Sequence, residues 1–345
     1  MIEPVLTIVV PCFNEEEALP AAITELSGVL KGLMNEKLID RRSRILFVDD
    51  GSRDQTWSLI YNESLENMFI KGLKLSKNAG HQNALLAGMA AARDVSDCVI
   101  TIDADLQDDT GVIREFIMKY REGCDIVYGV RKGRETDTFF KRKTAELFYS
   151  LMLKMGVNLI YNHADFRLMS KRALMELGKF EEANMFLRGV VPLIGFKTAS
   201  VYYKRKERLA GETKYPLKKM LAFAFDGITS FSVTPIRLVM LLGFLSFFGS
   251  CAFGLYFLYL KLMGETSAGW TSLITSIWLL GGLQLIAMGV IGEYIGKIYK
   301  EAKRRPKYII DFNPFLQVQG GLLDKNDSED ELYGAAFKKL TQKSN

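Results

Sequence analysis

Histidine is nearly missing from this chain, with two residues in 345, and cysteine is sparse at four. Cys12, Cys98, Cys124 and Cys251 show no paired spacing and mostly fall in apolar runs. That is how buried free thiols look in a reducing compartment, so neither a disulfide framework nor a zinc site is implied. His81 and His163 are too few and too isolated for a metal centre, which leaves local hydrogen bonding as the role expected of each. Gly-x-Gly occurs nowhere, which excludes a dinucleotide fingerprint, and neither Gly-Lys pair, at 178 and 296, is followed by Ser or Thr, which excludes a Walker A loop. Met1–Pro11 lacks a basic region and a cleavage site, so its apolar run reads as a first strand and not as a signal peptide. A large charge excess is missing too. The net charge of +5 argues against a nucleic-acid partner and allows an anionic membrane surface.

What is present is led by Val99–Asp109, Val-Ile-Thr-Ile-Asp-Ala-Asp-Leu-Gln-Asp-Asp. An apolar, β-branched run long enough for a buried strand ends abruptly in carboxylates. In an open α/β sheet, the carboxyl edge of the strands is where ligands bind. Asp103 and Asp105, with Ala104 between them, can turn toward one point, and Gln107 can add a carbonyl oxygen. Such a point suits Mg²⁺, which takes one or two carboxylates and completes its shell with water and substrate phosphates. The same tripeptide is equally an ordinary turn with capping residues.

Strands are predicted at Leu6–Val10, Ile45–Val48, Gly72–Ser76, from Val99, and at Asp125–Val130. Helical spacing falls between them, from the Asn14–Glu17 cluster to Asn35, over Gln82–Ala92 and over Thr110–Arg121, with Asp54 placed to cap a further helix. This alternation predicts a mostly parallel, doubly wound α/β sheet. A helix is expected over Lys143–Met155 and a polar turn over Asn162–Arg167.

The basic segment Tyr203–Lys219 alone reads as a solvated loop, but it lies just before a membrane-like region. Leu238–Leu260 holds 23 uncharged residues and Leu273–Gly292 holds 20, the length a spanning helix needs. Lys and Arg flank the pair on the outside, so the positive-inside rule puts both ends in the cytoplasm. Leu217, Met220, Leu221, Ala224, Phe225 and Ile228 share one helical face, as in a helix lying in the interface. The expected organisation is a cytoplasmic catalytic domain over 1–214, an interfacial helix region over 215–231, a two-helix transmembrane domain over 232–296 and a cytoplasmic C-terminal tail over 297–345 that is polar and poorly ordered beyond Asn313.

Val10-Pro-Cys-Phe-Asn-Glu-Glu16, Val48-Asp-Asp-Gly-Ser-x-Asp54, Asp103-Ala-Asp-Leu-Gln-Asp108, Asp165-Phe-Arg167 and Arg208-x-x-Gly-x-x-Lys214 occur in that order. Together they resemble the inverting glycosyltransferases of family 2 with a GT-A fold, and within them the polyprenyl-phosphate glycosyltransferases, which makes the catalytic domain expected over 1–214 GT-A-like. Gly292–Tyr299 and Arg305-Pro-Lys-Tyr308 are similar to the bactoprenol branch. The resemblance implies that Pro11, Phe13, Glu15, Val48 and Asp50 hold the nucleoside, and that Asp103, Ala104 and Asp105 contact ribose and diphosphate. It makes Asp103, Asp105 and Gln107 the ligands of Mg²⁺ or Mn²⁺. Arg131, Arg208 and Lys214 would neutralise phosphate charge, and Asp165 would stand at the position of a catalytic base. A lipid phosphate has a second pKa near about 6 and is mostly ionised at neutral pH, so Asp165 can instead orient the acceptor or hold Arg167. The implied partners are a UDP-sugar, undecaprenyl or another polyprenyl phosphate, membrane lipid and further copies of the chain, with Gly243, Gly249 and Gly254 allowing close helix packing. A processive polysaccharide synthase of the same fold would carry Gln-x-x-Arg-Trp, whereas Trp57, Trp270 and Trp278 all lack a preceding Arg. An inactive membrane scaffold would have no need of the acidic and basic sets.

Overall fold

The computed structural model describes residues 3–132, 163–182, 185–204, 234–263 and 269–315. Apolar runs bounded by polar turns form the strands β1 (Leu6–Cys12), β2 (Arg44–Asp49), β3 (Ile70–Leu75), β4 (Cys98–Thr101), β5 (Ile126–Arg131), β6 (His163–Ser170), β7 (Thr198–Tyr203) and β8 (Ile310–Phe312). They lie in one sheet in the order β7-β5-β6-β4-β1-β2-β3-β8. β1 pairs in parallel with β2 and β4, β2 with β3, and β5 with β7, while β6 and β8 run antiparallel to their neighbours. The order reverses at β1, whose sequence neighbour β2 lies on one side and β4 on the other. That reversal opens a crevice at the carboxyl ends of β1 and β4, the position where such sheets bind ligands.

The helices are α1 (Leu19–Asn35), α2 (Thr56–Glu66), α3 (His81–Arg93), α4 (Ile113–Arg121), α5 (Lys171–Leu177), α6 (Leu187–Val190), α7 (Thr234–Leu262) and α8 (Trp270–Ala302). Alternate residues of each strand face opposite sides, so two cores form. Leu6, Ile8 and Val10 pack with α1 and α4, whereas Val9, Val48 and Val99 pack with α3, α5 and α6. α3 sits close because its sequence is small. A Cβ built on Gly88 would lie 2.4 Å from Val9 Cγ1 and 2.8 Å from Val48 Cγ2. These β-branched side chains cannot swing away, so Gly88→Ala is expected to destabilise the fold by about 1–3 kcal/mol, measurable as a lowered unfolding midpoint.

Within the expected polar turn at Asn162–Arg167, His163–Arg167 instead form the first half of β6, and Asn162 lies outside the described residues. The polar side chains there bond within the fold, while Phe166 and Leu168 enter the α1/α4 core, which makes an outwardly polar stretch a buried strand. The residues after α8 return to the sheet. β8 pairs with the edge of β3, and Phe312 stands edge-on to Trp57 and Tyr61 at centroid distances of 5.7 and 6.4 Å. Lys307 donates to the Phe180 carbonyl at 3.2 Å.

Among the described residues one stretch, Leu279–Ala302 of α8, is long and apolar enough to cross a membrane. α7 is a continuous 29-residue helix lying against α8, and its described apolar part is Thr234–Ser246. The expected helices at 143–155 and 217–228 and the tail after 315 lie outside the described residues.

Candidate active site

The carboxyl edge gathers its polar groups from loops that are tied to one another. After β1, Asn14 adopts a left-handed φ of 54°, its amide donates to Ser52 Oγ, and its side chain accepts from the Arg53 amide at 2.9 Å. The Glu15 amide donates to Thr56 Oγ1, and Asp54 accepts from the amides of Thr56 and Glu16. The loop after β1 and the loop after β2 therefore form one unit. Phe13 stands 42% exposed on it, while Pro11 is buried in the ladder opposite Val48. The Val48 side chain is fully buried under α3. Asp50 caps no helix. Its two oxygens accept from the amides of Ala79 and Gly80, at 2.7 and 2.9 Å, and so fix the loop that launches α3. Burial raises its pKa, against the pull of these two amides.

That launch places His81, the first residue of α3, in the centre of the edge. Its Nε2 lies 3.5 Å from Asp103 Oδ1 and 3.8 Å from Asp165 Oδ2. The histidine expected to be isolated thus stands between two acids. Nothing in the local sequence announces it beyond its place just after Asn78-Ala79-Gly80, at a helix start.

The acidic loop leaves β4 at Thr101, whose hydroxyl donates to the Asp165 carbonyl. Asp103 Oδ1 is buried without a hydrogen-bond partner, although the side chain as a whole is 35% exposed. Withdrawal from water raises the Asp103 pKa to about 6. His81 pulls it down, and Asp165, Asp108 and Asp105 push it up. Ala104 is buried, and Leu106 takes a left-handed φ of 51°. Asp105 is half-buried, with Oδ1 accepting from the Gln107 amide at 3.2 Å, and the Gln107 side chain is buried. Asp108 accepts on Oδ1 from Arg131 and from the Tyr203 hydroxyl, at 3.0 and 2.5 Å. Arg131, expected to face phosphate, is therefore bound to a carboxylate of the loop itself.

Asp165 sits on β6 beside this loop. Arg167 Nη2 lies 2.5 Å from its Oδ1, and Arg188 Nη2 from α6 lies 2.9 Å from its Oδ2. Burial opposes ionisation, but Arg188 and Arg167 outweigh it and hold the carboxyl well below the usual carboxylate range. The two arginines thus hold Asp165 as an anion fixed in place. Arg188 was not legible in the sequence, since it reaches the site from a separate short helix. Arg208 and Lys214 lie outside the described residues, as does the side chain of His163.

Among the described residues no group of three or more His, Cys, Asp or Glu is arranged to hold a metal ion. The donor set still fits a hard divalent cation. Asp103 Oδ1 is buried with no hydrogen bond, His81 Nε2 is its cation-capable neighbour at 3.5 Å, and Asp165, Asp108 and Asp105 crowd it with negative charge, while Mg²⁺ or Mn²⁺ needs few protein oxygens when phosphates and water supply the rest.

A family model described as Glycosyl transferase family 2 matches residues 7–178. The chain is 64% identical over 311 residues to the uncharacterized glycosyltransferase YkoT of Bacillus subtilis strain 168, covering 90% of this chain and 92% of that one. It is 39% identical to the prophage bactoprenol glucosyl transferase homolog of Escherichia coli K12, covering 88% and 98% of the two chains. Against the bactoprenol glucosyl transferase of Shigella phage SfV the identity is 40%, over 88% and 97%.

Proposed function

The chain belongs to glycosyl transferase family 2 and is a glycosyltransferase, and from that premise we propose that it moves one sugar, glucose or N-acetylglucosamine, from a UDP-sugar to a polyprenyl phosphate such as undecaprenyl phosphate at the cytoplasmic membrane face. One observation carries the reading. The acidic loop and the arginine-clamped Asp165 meet at a single sheet edge, in a chain that also has a helix of membrane-spanning length. Relatives named bactoprenol glucosyl transferase support the choice of acceptor.

Asp103 and Asp105 would hold Mg²⁺ or Mn²⁺, with Gln107 nearby. The ion supplies charge stabilisation for the departing diphosphate. Phe13, Glu15 and the loop fixed by Asp50 border the space for the nucleoside. His81 stands between the donor side, at Asp103, and the acceptor side, at Asp165. Arg188, 36% exposed, presents positive charge beside Asp165, where an anionic acceptor has to approach. The acceptor phosphate arrives mostly ionised, so Asp165 positions Arg167 and Arg188 and removes no proton. α7 and α8 supply two membrane crossings and keep the lipid acceptor concentrated at the site. The exposed Leu279, Leu285, Ile286 and Ile295 are apolar surface that lipid would cover.

The test is UDP release by the full-length protein in detergent, with a panel of UDP-sugars. Release should require a divalent cation and rise on adding polyprenyl phosphate. Release that is indifferent to polyprenyl phosphate would contradict the acceptor assignment. Deleting everything after Phe231 would not be a clean test of tethering, because β8 and Lys307 would be lost with the helices.

A further inference from the structure

Asp108 has no assigned part in the reaction, yet it is among the most enclosed charges of the described residues, with 1% of its side chain exposed. Its Oδ1 accepts from Arg131 Nε at 3.2 Å, from Arg131 Nη2 at 3.0 Å and from Tyr203 Oη at 2.5 Å. Its Oδ2 is buried with no hydrogen-bond partner. Arg131 ends β5 and Tyr203 ends β7, two strands paired in register at these residues. The loop carrying Asp108 leaves β4, which β6 separates from β5. One carboxylate therefore joins the acidic loop to the ends of two strands farther along the sheet.

The loop needs such a join. Between Asp105 and Gln107 the backbone passes through a left-handed Leu106, a conformation costing a non-glycine residue about 1–2 kcal/mol, which persists only where the surroundings over-determine it. The turns from Asp105 to the Gln107 amide and from Asp109 to the Gly111 amide shape the loop from within. Thr110 ties the end of the loop to Glu25 of α1 at 2.6 Å, and Asp108 ties it to β5 and β7; a paired, hydrogen-bonded carboxylate with one oxygen unsatisfied is a costly way to build such a tie. A purely structural anchor would be equally well served by apolar packing. What a buried charge adds is a fixed direction and a negative potential beside Asp103.

We propose that Asp108 is a positioning residue for cation binding, latching the acidic loop to the ends of β5 and β7 through Arg131 and Tyr203 so that Asp103 and Asp105 are held ready for the ion. The inference rests on the reading of the loop as the cation-binding element. It assigns Arg131 and Tyr203 to the latch, and Arg131 serves the site through Asp108.

The test measures Mn²⁺ bound to the full-length protein in the presence of UDP, by the loss of the free-ion electron paramagnetic resonance signal. Asp108→Asn is expected to weaken Mn²⁺ binding by about 10- to 100-fold, the usual effect of removing a group that orients metal ligands. Tyr203→Phe, which deletes one hydroxyl, should weaken it less but in the same direction, with a modestly lowered unfolding midpoint and a folded protein. Arg131→Lys should resemble Asp108→Asn, since a lysine keeps the charge and loses the fork. Should Asp108→Asn fail to fold, Tyr203→Phe decides the matter. Wild-type Mn²⁺ affinity in well-folded Tyr203→Phe and Asp108→Asn overturns the latch and leaves the cation site standing. No Mn²⁺ binding by the wild-type protein with UDP overturns both.

Discussion

Asp105→Asn is expected to lower sugar transfer by about a hundred- to a thousandfold while leaving the fold intact, a loss of the size seen when one group stabilising developing charge is removed. The substitution takes a unit of negative charge from the loop without changing side-chain size. Asp105 is only half-buried, and the hydrogen bond it accepts from the Gln107 amide can equally be accepted by an asparagine oxygen. The turn therefore survives and the effect falls on the cation. Initial rates across a Mg²⁺ series, with an unfolding midpoint as control, measure it. A rate near wild type at low Mg²⁺ would show that Asp105 does not hold the ion.

Asp165→Asn should cost both stability and turnover. Arg167 has 1% of its side chain exposed and faces Asp165, so neutralising the acid leaves a buried guanidinium unpaired, which costs about 3–5 kcal/mol. The pH dependence separates the two roles open to Asp165. Its folded pKa lies below the ordinary carboxylate value of about 3.9, so the stability it contributes is complete above that value and is lost only as pH falls through the lower, folded pKa. Between about pH 6 and 9 it stays ionised, and the ratio of wild-type to Asp165→Asn turnover should be constant across that range. A ratio that climbs with pH through an ionisation present only in the wild type would restore Asp165 as a base.

Much of this site could be read from the chain because strand ends leave a sharp mark. β1, β2 and β4 are apolar runs that stop at Asn14, Asp50 and Asp103, and a parallel sheet puts all three stops on one edge. The rest depends on distance in sequence. His81, Asp103, Asp165 and Arg188 meet only because α3, β4, β6 and α6 converge, and no local spacing encodes that. β6 was hidden by its own chemistry, since Asp165 and Arg167 neutralise each other inside the fold yet look like a turn in the sequence. Arg131 has the right residue type for a phosphate contact, but the structure gives its guanidinium to Asp108. β8 is three residues long and pairs with a strand more than two hundred residues earlier, too short a run to stand out.

The central claim, one sugar placed on a polyprenyl phosphate, is tested most directly by the lipid product. The full-length protein is reconstituted in vesicles containing undecaprenyl phosphate and supplied with UDP-glucose or UDP-N-acetylglucosamine and Mg²⁺, and the lipid extract is analysed by mass spectrometry. The account predicts undecaprenyl phosphate carrying a single sugar from one of the two donors, formed only with the cation and lost in Asp105→Asn. Polymeric glycan, or unmodified lipid alongside released UDP, would contradict it.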